Sequence, residues 1–366
     1  MASDQEQGER AASPPGGGLR VVVTGATGNL GTALLRRLDA DERIASVVGI
    51  ARRVPGDPGA SAKTEWVSAD TTRSDLAALF EGADAVVHLA WLFHPTRRPK
   101  VTWETNVGGS ARVFEAVAAA KVPALVHVSS VGAYSPGPKD VGVSESWPTD
   151  GWPEAAYCRE KAYVERLLDV FERDHSGTRV VRMRPGIVLQ RDSAAEQRRI
   201  FLGPFVPTKL VRPDRLPIPD LPGLRFQTVH ADDVADALRA ALVRSVSGPF
   251  NLAAAPVVDA AMLADVFGTR TIRVPRGPVR AALSAAWALH AVPVPLGMFD
   301  AVLRFPVMDT TRAESELAFR PRSARETITE FALALQEDAG GPTPRLASPL
   351  PGGRVAEAAT GMGRRT

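Results

Sequence analysis

The chain has 366 residues, of which 45% are hydrophobic and 23% charged, and its formal net charge is +3. This composition is typical of a globular protein and excludes the fibrous and fully disordered classes. Almost all basic residues are Arg and are spread among acidic ones, so we expect no nucleic-acid partner. The single cysteine excludes an intramolecular disulfide and fits a reducing compartment, so we expect a cytoplasmic protein.

The two ends of the chain differ in composition from its middle. Residues 1–18 are polar and 336–366 are rich in Gly, Pro and Ala, so we expect a disordered leader and a disordered tail. An apolar run at 281–299 is interrupted by His290, Pro293 and Pro295, short of the roughly 20 residues that a membrane span requires. We expect no membrane association and interpret this run as a buried or partner-facing helix followed by a loop.

Apolar runs alternate with helical segments from Leu19 onward. Strands are predicted for LRVVVT, SVVGIAR, KTEWVSAD, DAVVHLAW and ALVHVSS, and TRVVRMRPGIVL at 178–189 would be the sixth. Helices are predicted between them, for example TALLRRLDA and VGGSARVFEAVAAAK. Continuous apolar strands separated by helices are typical of a parallel sheet covered on both faces. The fold class predicted is therefore α/β, with a doubly wound parallel sheet.

The segment VVVTGATGNLG, residues 21–31, joins the first predicted strand to the first predicted helix. Gly25 permits a tight turn, Gly28 lets the backbone approach a pyrophosphate, and Gly31 permits close helix packing. The helix N-terminus favours an anion. A strand-to-helix turn without a ligand is the weaker alternative in this context, so the segment predicts dinucleotide binding.

The second and third predicted strands bear on which dinucleotide binds. The second ends in Ala51, Arg52 and Arg53, where an acidic residue would accept the ribose 2′-hydroxyl group of NAD. Two guanidinium groups suit a 2′-phosphate, which favours NADP over NAD, and simple solvation of either arginine is the alternative. Asp70, at the end of the third strand, is either an acceptor for the adenine amino group or a turn residue.

Tyr157 and Lys161 stand four residues apart in AAYCREKAY, so both side chains project from one face of a helix. A nearby ammonium group would stabilise the phenolate and bring the pKa of Tyr157 toward the range of a general acid or base. Ser129 and Ser130 end the fifth strand, where a hydroxyl group would polarise a substrate carbonyl, or alternatively cap a turn. Cys158 is interpreted as a spacer.

The histidines and aromatic residues give weaker signals. No metal is predicted, because the histidines have no metal-ligand spacing and isolated histidines are more often packing or surface residues; they are His88, His94, His127 and His230. Trp91 and Phe93 follow the fourth strand and are expected either to border the substrate opening or to cap the core.

After residue 188 the chain becomes rich in proline, which removes donors from a strand ladder. We predict a dinucleotide-binding domain at 19–188 and a smaller substrate-binding lobe at 189–335, with 226–254 returning to the first domain. Within 189–225, apolar and basic residues suggest either an apolar pocket with a charged rim or packing between lobe and domain. These residues are Arg198, Arg199, Phe201, Leu202, Phe205, Val206, Lys209 and Leu210.

Together these motifs resemble the extended short-chain dehydrogenase/reductase family, also called the NAD-dependent epimerase/dehydratase family. TGATGNLG matches the family's TGxxGxxG, Tyr157 and Lys161 match its YxxxK, and Ser130, four residues before Tyr134, matches its catalytic serine. The resemblance covers roughly residues 19–335, because further matches follow in family order: HLA (88–90), NVGG (106–109), RPGIV (184–188), HADDVA (230–235) and DTTRAESELAFRP (309–321).

The resemblance implies a Rossmann fold, NADP or NAD as cofactor, a small-molecule substrate, and a homodimer formed through helices around 101–120 and 155–174. It implies Ser130, Tyr157 and Lys161 as the catalytic residues. With Arg52 added from its position, the residues expected near the cofactor are Gly25, Thr27, Gly28, Asn29, Leu30, Gly31, Arg52, Asp70, Thr71, Leu89, Ala90, Asn106, Tyr157, Lys161, Pro185 and Ile187.

Three functions are weighed. The leading hypothesis is an NAD(P)-dependent oxidoreductase acting on a carbonyl or secondary alcohol; the second is an epimerase that retains its cofactor. A dehydratase ranks lower, since VGA at 131–133 lacks the acidic pair of that branch, and RPGIVLQRD and LRFQTVHADD lack expected sugar-nucleotide contacts. A non-catalytic NADPH-binding sensor or scaffold is the third, although such relatives usually lose the tyrosine or lysine retained here.

Overall fold

The computed structural model describes residues 17–56, 61–93, 98–201, 217–289, 292 and 294–347. Most of the expected leader and the last part of the expected tail lie outside these residues. So do His94 and residues 202–216 of the segment that suggested a pocket or a packing surface, including Leu202, Phe205, Val206, Lys209 and Leu210.

The strands, in chain order, are β1 (Leu19–Thr24), β2 (Ile44–Ala51), β3 (Thr64–Ser68), β4 (Ala85–His88), β5 (Ala124–Val128), β6 (Gly142–Val143), β7 (Arg179–Pro185), β8 (Ile187–Leu189), β9 (Ile218–Asp220), β10 (Arg225–Phe226), β11 (Thr228–His230), β12 (Gly248–Leu252), β13 (Val258–Asp259), β14 (Thr271–Arg273) and β15 (Val307–Met308). The helices are α1 (Asn29–Asp39), α2 (Leu76–Phe80), α3 (Pro99–Trp103), α4 (Gly109–Ala119), α5 (Ala156–Asp174), α6 (Ala194–Phe201), α7 (Ala231–Val243), α8 (Ala260–Val266), α9 (Arg276–Ala288), α10 (Leu296–Val302), α11 (Thr311–Glu316) and α12 (Ala324–Gln336). A π-helical turn, Glu104–Gly108, joins α3 to α4.

Seven strands form one sheet in the order β3-β2-β1-β4-β5-β7-β12. Every neighbouring pair in it is parallel. Strands β1, β2 and β3 follow one another toward one edge of the sheet. The chain then returns to the centre, where β4 pairs with the other side of β1. This topological switch point opens a crevice at the carboxyl ends of the two strands. The predicted doubly wound α/β fold is confirmed.

Alternating residues of β1 explain why the strand is apolar throughout. Val21 and Val23 belong to a core on one face of the sheet, with α1 and α7, whereas Val22 belongs to a second core with α4 and α5. Successive side chains of a strand point to opposite faces, so a strand covered on both sides buries all of them. All three valines are fully buried.

The predicted sixth strand is divided into β7 and β8 at Gly186. A Cβ atom at Gly186 would lie 2.6 Å from the carbonyl oxygen of Gln227. Because the chain passes so close to the segment before β11, β8 leaves the main sheet and pairs with β11 instead. The single strand expected at 178–189 is therefore corrected to two, a division that brings Ile187 to the edge of the crevice.

The apolar run at 281–299 is not buried within the described part of the chain. Helix α9 covers residues 281–288 of the run and has no buried residue, and Leu289 is 79% exposed. The expectation of a buried helix is therefore corrected, while the partner-facing alternative stays a prediction. Among the described residues, no helix is both long enough and apolar enough to cross a membrane.

Residues 337–347, which we name the C-terminal strap, are ordered although the segment 336–366 was expected to be disordered. The Ala195 amide donates to the carbonyl oxygen of Ala339 at 3.0 Å, and Leu346 is fully buried. Arg199 donates to the carbonyl oxygens of Ala347 and Arg345, at 3.0 and 3.1 Å. Backbone and side-chain contacts with α6 therefore hold the strap in place, which composition alone does not reveal.

Candidate active site

A cleft of about 370 Å³ lies at the carboxyl ends of the central strands. Its volume falls within the range of about 300–1,000 Å³ that is usual for small-molecule sites. The sequence-predicted site residues line it with one exception, Asn106; those that line it are Gly25, Thr27, Gly28, Asn29, Leu30, Gly31, Arg52, Asp70, Thr71, Leu89, Ala90, Ser130, Tyr157, Lys161, Pro185 and Ile187. Segments far apart in sequence therefore meet in one cleft.

The glycine turn forms the floor of the cleft. Gly25 has a φ of 75°, and a Cβ atom there would lie 2.7 Å from the amide nitrogen of Ala90. A Cβ atom at Gly31 would lie 2.5 Å from the carbonyl oxygen of Ala26, so α1 packs directly on the turn. Gly28 is the residue that caps the N-terminus of α1. The unpaired amides of this helix end therefore face the cleft, as an anion site requires.

Arg52, Arg53 and Asp70 lie together at one end of the cleft. Asp70 accepts hydrogen bonds from the amide and hydroxyl groups of Thr72, at 2.9 and 2.7 Å, as a turn residue does. Burial by itself raises the pKa of Asp70, but these hydrogen bonds and the charges of Arg52 and Arg73 lower it overall. Asp70 is therefore a turn residue that also lines the cleft, together with Arg52 and Arg53.

The structure separates the two candidate serines. The Ser129 hydroxyl group donates to buried Glu165 at 2.6 Å. Ser130 instead accepts the amide hydrogen of Gly132 at 3.0 Å, and its hydroxyl group acts to lower the pKa of the neighbouring Tyr157 phenol. Since the Ser129 proton is engaged below the cleft, Ser130 is the serine that faces the tyrosine.

Tyr157 is held by close contacts on several sides. The rings of Phe93 and Trp91 meet it edge-on, with centroids 4.8 and 6.2 Å away. A Cβ atom at Gly132 would lie 2.7 Å from the tyrosine ring, so this position accepts only glycine while the ring stays in place. Burial raises the pKa of Tyr157, although the hydrogen bond with Ser130 opposes this. The expected lowering of the Tyr157 pKa by Lys161 is therefore corrected: burial raises it instead.

Lys161 does not lower the pKa of Tyr157, because its ammonium group contacts Val128 and Trp91 and not the phenol. Its Nζ donates to the carbonyl oxygen of Val128 at 2.9 Å and lies 3.4 Å from the centroid of the Trp91 ring. Burial lowers the pKa of Lys161 to about 7, against the attraction of Glu165 and Glu160. The lysine therefore exchanges its proton near neutral pH, within the same cleft as Tyr157.

Asn106 lies behind the cleft. It accepts the amide hydrogen of Leu92 at 2.6 Å and donates to the carbonyl oxygen of Leu92 at 3.2 Å and to Glu160 at 2.7 Å. It thus ties the loop after β4 to α5, the helix that carries Tyr157 and Lys161. Its place in the structure is that of a positioning residue, which corrects its expected place beside the cofactor.

His88, His127 and Cys158 are core residues. His88 bonds to Thr24 and Ser110, at 2.7 and 3.0 Å, and burial lowers its pKa to about 3. Cys158 is fully buried, and burial raises the pKa of its thiol to about 12. Such a thiol is a poor nucleophile, which agrees with its interpretation as a spacer.

Several cleft residues were not predicted from the sequence. They come from α6, the α10 region and the C-terminal strap: Glu196, Gln197, Ile200, Met298, Val302, Phe305, Pro344 and Arg345. Their segments carry none of the matched motifs, and only the tertiary fold brings them to the cleft. The one usable signal was the mixed apolar and basic character of the segment after residue 188.

A family model described as "NAD dependent epimerase/dehydratase family" matches residues 21–253. An uncharacterized protein of Mycobacterium tuberculosis (strain ATCC 25618 / H37Rv) is 27% identical over 324 residues, which are 87% of this chain and 30% of that protein. The chain thus spans less than a third of that relative's length. L-arabinose 1-dehydrogenase (NAD(P)(+)) of Haloferax volcanii is 28% identical over 193 residues, 49% of this chain and 70% of the relative.

Among solved structures, UDP-glucuronic acid 4-epimerase of Bacillus cereus, in a complex with a UDP-sugar and NAD, superposes with a TM-score of 0.62 at 16% identity. The match covers 87% of this chain and 99% of that one, and at this identity it establishes the fold. The family model covers most of the chain, including the glycine turn and the helix with Tyr157 and Lys161. The chain therefore belongs to the NAD-dependent epimerase/dehydratase family, as its motifs predicted.

Proposed function

We propose that the protein is an NAD(P)-dependent oxidoreductase that interconverts a carbonyl and a secondary alcohol on a small molecule. The observation that carries the proposal is the meeting of Ser130, Tyr157 and Lys161 in the cleft that begins at the glycine turn. Ser130 follows β5, whereas the other two lie on α5, so the arrangement is built by the fold. Family membership supports an enzyme that uses NAD.

The cleft fits a dinucleotide. Gly25 packs against Ala90 and Gly31 against Ala26, so neither position has room for a side chain. The N-terminal end of α1 therefore presents bare backbone to a ligand. Gly28, Asn29 and Leu30 would hold the pyrophosphate there, Arg52 and Asp70 the adenosine half, and Lys161 the nicotinamide ribose. When bound, the cofactor would supply or accept the hydride of the reaction.

The side chains would manage the proton and orient the reacting oxygen. Ser130 Oγ accepts from the Gly132 amide, so its own proton can be donated, and a bound substrate oxygen would take it in place of the Tyr157 oxygen. Tyr157 Oη would transfer a proton to or from that oxygen. Burial raises the pKa of Tyr157, so a cation next to the phenol is needed to lower it. Lys161, whose pKa of about 7 leaves it partly charged, is that cation.

The wall opposite the glycine turn favours an apolar substrate. Phe93, Ile200, Met298, Val302 and Phe305 line this part of the cleft. Apolar walls recognise hydrocarbon groups, and few of the lining side chains here would pair with a nucleotide diphosphate. The similarity to L-arabinose 1-dehydrogenase (NAD(P)(+)) supports redox chemistry by its name alone.

An epimerase that retains its cofactor is the second candidate, favoured by the fold shared with UDP-glucuronic acid 4-epimerase. It would use the same residues without net formation of reduced cofactor. A dehydratase is disfavoured, because that branch requires a side chain where Gly132 stands, and a Cβ atom there would meet the Tyr157 ring at 2.7 Å. Measuring whether free NADPH or NADH accumulates in proportion to product distinguishes oxidoreductase from epimerase.

The preference for NADP over NAD remains our proposal, supported by Arg52 and Arg53 at the adenosine end of the cleft. Replacing Arg52 with Ala should weaken NADP⁺ binding about ten-fold, because a charged hydrogen bond to the 2′-phosphate is lost, and should leave NAD⁺ binding unchanged. Calorimetric titration with both dinucleotides measures this. A wild-type protein that binds NAD⁺ more tightly than NADP⁺ contradicts the preference.

A homodimer through α3, α4 and α5 also remains a proposal. Trp103 is 39% exposed, Tyr163 46% and Val170 46%, and the rings of Trp103 and Tyr163 are in contact at 4.9 Å. Exposed apolar residues on adjoining helices favour burial against a second copy. Sedimentation of the wild type and of a Val170→Glu variant tests it: a wild type that sediments as a monomer rejects this surface.

The main test replaces Tyr157 with Phe, which removes only the phenolic oxygen. Turnover should fall by at least about 100-fold, the usual contribution of a positioned acid or base, while dinucleotide affinity stays nearly unchanged. The matched control is Tyr163→Phe on the exposed face of the same helix, which should keep full turnover. Equal turnover of Tyr157→Phe and wild type rejects the mechanism, and dinucleotide binding without any turnover in the wild type favours a sensor.

A further inference from the structure

The C-terminal strap reaches the glycine turn. The hydroxyl group of Thr343 donates to the carbonyl oxygen of Thr27 at 2.8 Å, and both side chains are more than nine-tenths buried. The strap folds back on itself through the Gly341 amide, which donates to the carbonyl oxygen of Leu346 at 2.8 Å. The strap is therefore attached to the loop that precedes α1, which is the proposed pyrophosphate site.

Arg345 carries the strap's charge into the cleft. It lies two residues after Thr343, within about 7 Å of chain, and lines the cleft together with Gly28, Asn29 and Leu30. Its guanidinium group is paired with Glu196 of α6, which lines the same cleft. The Arg345 side chain is 30% exposed and that of Glu196 is 12% exposed. A cation and an anion thus share the rim above the helix N-terminus.

The charges of this pair have opposite effects on a bound anion. A diphosphate at the end of α1 would be repelled by the Glu196 carboxylate and attracted by the Arg345 guanidinium. A guanidinium group presents a planar set of donors that matches two phosphate oxygens at once. Helix α1 has no acidic residue in its first turn, and Asp70, the other carboxylate among the described residues that line the cleft, is already bonded to Thr72, so Glu196 is the carboxylate that needs to be neutralised.

We propose that Arg345 is a diphosphate-binding residue and that the C-terminal strap is the outer wall of the dinucleotide site. When the ligand binds, Arg345 moves part of its hydrogen bonding from Glu196 to the diphosphate. The strap, anchored at Thr27, encloses the ligand and slows its release. This inference rests on the proposed function, because it requires that the cleft bind a dinucleotide.

The alternative is an ion pair that only fastens the strap to α6. The two explanations differ in the sign of one effect. If the pair is only a fastener, removing either partner loosens the strap in the same way. If Arg345 binds the diphosphate, removing Arg345 weakens dinucleotide binding, whereas neutralising Glu196 frees the arginine and removes a repelling charge.

The test measures the Kd of NAD⁺ and NADP⁺ by calorimetry in the full chain. Arg345→Ala should weaken both by about ten-fold, the usual scale for one charged hydrogen bond, and Glu196→Gln should tighten both by about three-fold. The matched control is Arg325→Ala, which breaks the exposed pair with Asp265 and should change neither Kd. Loss of affinity in both Arg345→Ala and Glu196→Gln, or wild-type affinity in Arg345→Ala, overturns the proposal.

A second variant keeps the proposal testable if Arg345→Ala folds poorly. Thr343→Val removes the hydrogen bond to Thr27 but keeps every charge, so it should speed the release of bound NADPH, followed by stopped-flow fluorescence, by about three-fold or more. An unchanged release rate shows that the strap is not a wall of the site. If the wild type binds neither dinucleotide, the proposed function fails. If it binds them but the variants behave like wild type, only the proposal for Arg345 and the strap fails.

Discussion

Two buried polar clusters lie side by side beneath the cleft and differ in how they hold charge. The arginine–glutamate cluster consists of Ser129, Glu165, Arg182 and Arg184, and the histidine–lysine cluster of His88, His127 and Lys161. Glu165 is fully buried, yet it accepts from Ser129, from Arg182 at 3.0 Å and twice from Arg184 at 2.9 Å. In contrast, neither ring nitrogen of His127 has a hydrogen-bond partner among the described residues.

Hydrogen-bond partners set the pKa of Glu165, whereas burial sets the pKa values of the histidine–lysine cluster. Burial by itself raises the pKa of Glu165, but Arg184 and its other donors lower it to about 2, so the carboxylate stays charged. In the histidine–lysine cluster burial lowers the pKa of all three groups, and the Lys161 charge lowers those of the histidines further. Of the groups in these two clusters, Lys161 is therefore the one that exchanges its proton near neutral pH.

Breaking the arginine–glutamate cluster should give the largest effect. Arg184→Met leaves Glu165 charged with fewer partners, and removal of one member of a buried pair usually costs about 3–5 kcal/mol of unfolding free energy. Urea unfolding measures the loss. The control is Arg173→Met, which breaks the exposed pair with Asp174 and should leave the stability unchanged. Equal stability of the Arg184 variant and wild type would mean that the cluster is not held by charge.

The histidine–lysine cluster should instead make stability depend on pH. Below pH 6.5 the unfolded chain takes up protons that buried His88 and His127 do not, so stability falls with falling pH. Each such histidine costs about 1.4 kcal/mol per pH unit. From pH 6.5 to 5.0, His127→Leu should therefore lose about 2 kcal/mol less than wild type. Thermal unfolding across this range measures the difference, with the exposed His175→Leu as control. Parallel curves for His127→Leu and wild type contradict the prediction.

The smallest effect is expected for Lys161 on the alkaline side. Its folded pKa of about 7 lies below the usual 10.5, so above pH 7 the unfolded chain binds a proton that the folded chain has released. Stability should therefore rise with pH, by about 1 kcal/mol from pH 7 to 8, and Lys161→Met should abolish this rise. Urea midpoints at the two pH values test it. If the wild type shows no rise, the lysine keeps its charge in the cleft.

The sequence predicted the features that short motifs determine. The glycine turn, the parallel strands and the helical pair Tyr157 and Lys161 each depend on neighbours within a few residues, so spacing and residue type suffice. The family match confirms the class to which these motifs pointed. Residue type left Ser129 and Ser130 open and the family resemblance favoured Ser130, but the physical reason needed the fold, since it depends on Glu165, 36 residues away from Ser129.

The far wall and the C-terminal strap could not be predicted, for a physical reason. Phe305 reaches the cleft because α10 packs beside α5, and nothing in its local sequence marks that contact. The strap has the Gly and Pro content of a disordered tail, yet Thr343 and Leu346 bury themselves against distant segments. Order that depends on a few long-range side-chain contacts leaves no periodic pattern in the sequence.

Cys158 offers a practical consequence for following the strap in solution. It is the one cysteine of the chain and is fully buried, so a maleimide dye should not reach it in the folded protein. A cysteine introduced on the strap would then be the sole reactive thiol. A fluorophore attached there would report whether the strap changes its surroundings when a dinucleotide is added, without first removing any native thiol.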